Sequence, residues 1–256
     1  MLKIMLKDRE GRLLHEAQTP GEELALVVDR EYEAGDTYVI EGAKYVKVQM
    51  DVTLQSATVY APNSVMHWTV PFGADRDAYA PFAFAGKRHL IRVWAKRASE
   101  EMHVVSRNSH DLRGDTDFFP HATANIETRG ESCFAARNVI DGVHMNHGHG
   151  EWPYQSWGIG TREDAQLRID FGRRVAVKGV RVLLRADFPH DAWFKAVTVR
   201  DDEGKETRLE LVKTDAWQDF PLDTVTGSLV VDNLEKADDP SPFPSLRGIE
   251  VLGCET

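Results

Sequence analysis

The chain has 256 residues, 42% of them hydrophobic and 28% charged, the proportions of a soluble globular protein with room for one large domain or two ordinary ones. Its 41 acidic residues outnumber 31 Lys and Arg, for a formal net charge of −10. That surplus disfavours a protein that tracks nucleic-acid phosphates or docks on anionic lipid, and leaves a small neutral ligand open.

A local basic cluster would still accept an acidic sugar against this background. The longest apolar runs are too short to cross a bilayer. The opening residues carry Lys3, Lys7 and Asp8 and lack an apolar core followed by a small-residue cleavage site. The chain as written is therefore expected in the cytoplasm, unless a signal was removed. Cys133 and Cys254 are then expected as reduced, small packing residues rather than as a bridge.

Alternating side chains predict strands at 2–7, at 12–17 after a turn at 8–11, and at 24–28. Gly35-Asp36 and Glu41-Gly42 bound a short strand around 38–40. Val46, Val48, Met50, Val52 and Leu54 alternate with Lys47, Gln49, Asp51 and Thr53, predicting one half-buried strand over 46–54. Strands at 57–60, 67–70, 89–95 and 103–106 complete a first antiparallel sandwich. Tyr60, Trp68, Phe72, Tyr79, Phe82, Phe84 and Trp94 read mostly as its core, with 67–68 and 82–86 candidates for lining a domain interface. The polar stretch 107–119 reads as a linker.

A short helix is predicted at 132–139, then strands at 166–171, 175–184, 196–200, 207–211, 228–232 and 248–252. Gly179 shifts the parity between Val177 and Val180, predicting a bulge or an edge. Asp201-Asp202-Glu203-Gly204 predicts a hairpin turn. Many short strands between turn signals give an all-β fold of two β-sandwich (jelly-roll) domains, 1–118 and 119–256.

Two clusters carry candidate chemistry. The first is His144, His147 and His149 in a glycine-flanked loop that continues into Trp152 and Tyr154. Imidazoles both donate to and accept from sugar hydroxyls, and the aromatic rings offer a flat apolar face. A zinc or other transition-metal site on the three histidines is a weaker alternative, since only His147 and His149 share strand parity. The second cluster is Arg185, Asp187, His190 and Trp193, with Asp191 and Lys195 nearby. Arg185 and Asp187 would grip adjacent hydroxyls or lock each other as a structural ion pair.

The order Asn138-Val-Ile-Asp-Gly142, Gln155-Ser-Trp157, Leu167-Arg-Ile-Asp-Phe-Gly172 and Ile249-Glu-Val-Leu-Gly253, with Ala122-Thr-Ala-Asn125 ahead of it, resembles the discoidin or coagulation-factor-C module. That module is a galactose-binding-like β-sandwich, and the resemblance covers residues 121–253. The segment from Arg185 to Trp193 is also similar to a bacterial group of carbohydrate-binding-type proteins. The resemblance implies a carbohydrate partner, and loops at one end of the sandwich, which collect His144, His147, His149, Trp152, Tyr154, Arg185, Asp187, His190 and Trp193, are expected to hold it, whether galactose-like or containing a uronic acid. It also implies a structural Ca²⁺ on Asp141 and Glu250, with a carbonyl of Asn138 in support. Non-catalytic sugar binding is the leading expectation. The alternatives are an enzyme acting on a sugar or oligosaccharide, as lyase or hydrolase with or without a metal, and a β-sandwich interaction scaffold.

Overall fold

The computed structural model describes residues 1–148, 150–186 and 192–256. Sixteen strands are present among them: β1 (Leu2–Lys7), β2 (Leu13–Thr19), β3 (Glu23–Val28), β4 (Thr37–Glu41), β5 (Tyr45–Gln49), β6 (Ala57–Tyr60), β7 (Val65–Thr69), β8 (His89–Lys96), β9 (His103–Val104), β10 (His121–Ala124), β11 (Trp157–Gly158), β12 (Leu167–Leu184), β13 (Phe194–Asp201), β14 (Glu206–Glu210), β15 (Gln218–Lys236) and β16 (Ser245–Glu255). The helical turns among the described residues are all 3₁₀, and none is long and apolar enough to cross a membrane. The molecule is all-β.

Two four-stranded antiparallel sheets, ordered β2-β1-β4-β7 and β3-β8-β5-β6, face each other. Alternation puts Leu2, Ile4, Leu6, Tyr38, Ile40, Met66 and Trp68 of the first against Leu24, Leu26, Val28, Val46, Val48, Val59, Ile91 and Val93 of the second in one buried cluster. The strand predicted over 46–54 stops at Gln49. Asp51 turns the chain instead, its carboxylate accepting from Thr53 N–H (2.8 Å) and Phe84 N–H (2.9 Å). Trp68, Tyr79 and Phe84 are core as expected, whereas Phe72 and Phe82 are exposed.

The third sheet has eight strands, with the path β11-β16-β12-β15-β13-β14 and with β10 on β12 and β9 on β16. The strands predicted at 166–171 and 175–184 are one long strand, β12, with a register shift between Asp170 and Val175. Leu167, Ile169 and Phe171 before the shift and Val175, Val177, Val180 and Val182 after it share one core with Val197, Leu229, Val231 and Val251. The sheet therefore wraps around a single interior. The irregularity expected at Gly179 is present against both neighbouring strands. The 201–204 turn also forms, with Gly204 at φ +83° and Asp201 Oδ1 accepting from Glu203 and Lys205 N–H. Residues 132–139 form two 3₁₀ turns, Ser132–Phe134 and Ala136–Val139, in place of one helix. Cys133 and Cys254 are unbridged.

The segment read as a polar linker is a buried strap at its first half. Ser106, Asn108, Ser109, His110 and Asp111 are all buried. Val105 N–H donates to Val251 O (2.9 Å) and Asn108 N–H to Ile140 O (2.9 Å), on the side of the third sheet. Towards the first two sheets, Trp68 Nε1–H donates to His110 O (2.9 Å) and Met50 N–H to His110 Nε2 (3.1 Å). Arg137, itself buried, donates to Asp111 O (2.6 Å) and Ser109 O (3.2 Å). These polar residues satisfy buried backbone groups rather than meeting water, and only the tip at 113–115 is exposed.

Candidate functional site

The Asn138–Gly142 motif builds the floor. Asn138 donates to Ser132 O (2.9 Å) and Ser156 O (3.2 Å), tying the 3₁₀ turns to the start of β11. Asp141 Oδ1 accepts from Val143 N–H (2.7 Å), closing an Asx turn in which Gly142 takes φ +86°. Its Oδ2 accepts from Gln155 Nε2 (3.3 Å), and Gln155 Oε1 in turn accepts from Tyr154 N–H (3.1 Å). Burial lifts the Asp141 carboxyl above its ordinary range against the opposing charge of Arg137.

The loop after Gly142 is pinned in two places. His144 packs edge-on to Trp217 with ring centroids 4.8 Å apart, and its carbonyl accepts from Arg247 Nε (3.0 Å). The close approach is possible because position 248 is glycine: a Cβ there would stand 2.7 Å from the Trp217 ring. His144 Nε2 also lies 3.4 Å from Glu250 Oε1. Glu250 is gripped by Arg107 and by Arg181 NH1 (2.9 Å). Burial alone would raise its pKa, but His144 and Arg107 outweigh that and hold it at about 2. A carboxylate whose oxygens already face two guanidinium groups does not fit a calcium ligand, because the ion would sit beside those fixed positive charges. Asp141 is engaged with Val143 and Gln155 and lies 3.9 Å from the Arg137 guanidinium.

The second pin is Arg185, which has no exposed surface. Its guanidinium donates to the carbonyls of Tyr154 and Gly148 (3.1 Å to the latter) and reaches Asn146 Oδ1 (3.4 Å). The residue expected to grip a ligand instead holds up the loop that carries Tyr154. His147, exposed, is fixed by its N–H to Pro153 O (2.9 Å). His149, Asp187, His190 and Asp191 lie outside the described residues. Among the described residues no three His, Cys, Asp or Glu side chains converge. His144 Nε2 is turned to Glu250. Trp193 is half-buried against the core of the third sheet rather than in the loop cluster.

Trp152 and Tyr154 remain at the surface as a half-buried ridge. On one side is an open cleft of about 730 Å³, bounded by Trp152, Tyr154 and Gly150 and by Phe72, Arg76 and Asp77. On the other is a hollow of about 340 Å³ lined by Tyr154, Phe134, Arg129, Gly158 and Phe243. Tyr154 meets Phe134 edge to face at 6.4 Å. Asp77 is exposed and makes no hydrogen bond or ion pair among the described residues, while Arg76 is anchored by one bond to Ala83 O (2.6 Å). Among the described residues, Trp152 Nε1 is buried without an acceptor. Sequence reasoning missed Phe72, Arg76 and Asp77, which reach the ridge from the first half of the chain. No local signal distinguishes them from a turn beside the core.

No protein-family model matches the chain, and no curated protein matches it. Among solved structures, the chain is similar to the family 32 carbohydrate-binding module of C. perfringens NanJ, solved in complex with galactose. Identity is 14% and the TM-score 0.40, over 51% of this chain and 91% of that module. It is also similar to the C-terminal domain of a chitobiase from Bacteroides fragilis (14% identity, TM-score 0.41, 53% of this chain and 95% of that one). A fucose-binding module from Streptococcus pneumoniae matches at 12% identity and a TM-score of 0.37, over 52% and 92%. These neighbours match about half of this chain.

Proposed function

We propose that this chain binds carbohydrate without transforming it, at the cleft beside Trp152 and Tyr154. The observation that carries this reading is the composition of that cleft. Two aromatic faces on a loop fastened from below stand opposite Arg76 and the unpaired carboxylate of Asp77. Sugar rings present apolar C–H faces that stack on aromatic rings, and hydroxyls that pair with carboxylate and guanidinium groups. Asp77 suits a neutral, galactose-like sugar with adjacent hydroxyls. Arg76 offers a partner to the carboxylate of a uronic acid.

A glycan array read with the wild type and Trp152→Ala tests the proposal. Loss of the ring is expected to weaken binding by about 1–3 kcal/mol, with the melting temperature little changed because the ring is half-exposed. A folded wild-type protein that retains no glycan, or a Trp152→Ala variant that retains every one, would sink it.

A further inference from the structure

A second hollow, of about 300 Å³, lies at the seam where the sheet of β5 and β6 meets the end of β16. Its walls include Arg97, Ser99, His103, Arg107, Arg173 and Glu255, and it shares no lining residue with the cleft beside Trp152. In a chain of formal charge −10, three guanidiniums and an imidazole gather here around one carboxylate.

That carboxylate is already engaged. Glu255 accepts from Arg173 Nε (2.8 Å) and NH2 (2.5 Å), and the Tyr45 hydroxyl donates to it (2.8 Å). Arg107 is matched by Glu250. The remaining charge is Arg97, just past the end of β8, exposed and without a hydrogen bond or ion pair among the described residues. The rim around it is fixed: Glu255 N–H donates to Ser99 O (3.0 Å), and His103 Nδ1–H donates to Glu101 O (2.8 Å). A walled hollow with a free planar fork matches the geometry of an oxyanion.

We propose that this seam is a second binding site, for the oxyanion of a small ligand (carboxylate, sulfate or phosphate), with Arg97 as the group that grips it. The site is independent of the sugar cleft.

Calorimetric titration of the full chain at low ionic strength tests this, with glucuronate, sulfate and inorganic phosphate as separate probes and glucose as the neutral control. Saturable one-to-one binding of at least one anion is expected, and the strongest arm identifies the class of oxyanion. Added sodium chloride should weaken it, and glucose should not compete for it. Arg97→Gln should reduce that affinity at least tenfold, and Arg97→Lys should restore part of it. Circular dichroism of each variant should match the wild type, since Arg97 is exposed. Trp152→Ala should leave anion binding unchanged, which separates this site from the sugar cleft whether or not that cleft binds sugar. The proposal is overturned if none of the three anions saturates, if Arg97→Gln binds like the wild type, or if Trp152→Ala removes anion binding.

Discussion

Arg185 sits under the loop that carries Tyr154, and its role there is geometric. A fully buried guanidinium that donates to the Tyr154 and Gly148 carbonyls holds the backbone on both sides of Trp152 in one conformation. Replacing it with alanine strips those part-buried carbonyls of a donor, at up to roughly 1–3 kcal/mol for each. Arg185→Ala is therefore expected to lower the melting temperature clearly. Arg185→Lys should recover only part, since an ammonium lacks the planar fork that spans both carbonyls. Thermal melts of the two variants decide it: a wild-type melting temperature in Arg185→Ala would mean that the loop does not depend on this residue. The same contrast shows what was legible in the chain. The turn at Asp141-Gly142 could be read directly, because an Asx turn is written in adjacent residues. Whether Arg185 faces a ligand or a carbonyl could not, because its partners lie more than thirty positions away.

At the scale of elements, the alternation of apolar residues gave most strands to within a few positions, and the departures share a cause. The strand over 46–54 ends early because Asp51 finds acceptor geometry with Phe84, a partner far along the chain. The first half of β15, at 218–226, went unread because Phe220, Leu222 and Thr224 alternate weakly around Pro221, and the pairing with β12 stabilises it. The strap through Asn108, His110 and Asp111 looked like a linker because polar residues usually mark one. His110 shows the consequence of that misreading in a measurable form. Burial first, and the Arg137 charge second, pull its imidazole from 6.5 down to about 3. With Nε2 accepting from Met50 N–H, Nδ1 donates to Ser109 Oγ (3.0 Å), so the folded state holds the neutral ring. A folded pKa depressed below the unfolded one gives stability that is fully present above about 6.5 and is lost as pH falls towards about 3. Melting temperatures measured from pH 7 to pH 4 should fall more steeply in the wild type than in His110→Gln, which cannot titrate. Parallel curves would show that His110 is not protonated on unfolding in that range.

At the scale of the whole molecule, the two cores are distinct but the chain between them is not a tether. The first core draws on residues up to Val93 and then on Phe118, while the second already includes Val105. The strap thus belongs to both. β9 extends the third sheet beside β16, Ser106 exchanges hydrogen bonds with Ile249 O and Val251 N–H, and His110 bonds to the first core through Trp68 and Met50. After the exposed tip, Phe119 and Tyr60 exchange backbone bonds (2.7 and 2.8 Å), and His121 Nδ1 pairs with Asp111 (2.7 Å). β9 comes from the first half of the chain and pairs with β16 of the third sheet. Trypsin should cut after Arg113, at the tip, and the two fragments should remain together through gel filtration under native conditions, because the bonds on both sides of the cut are intact. They should part only in denaturant, in one transition shared by both cores. Two fragments that elute separately and each keep a cooperative melt would show instead that the halves are independent domains and that the strap contacts contribute little to holding them together.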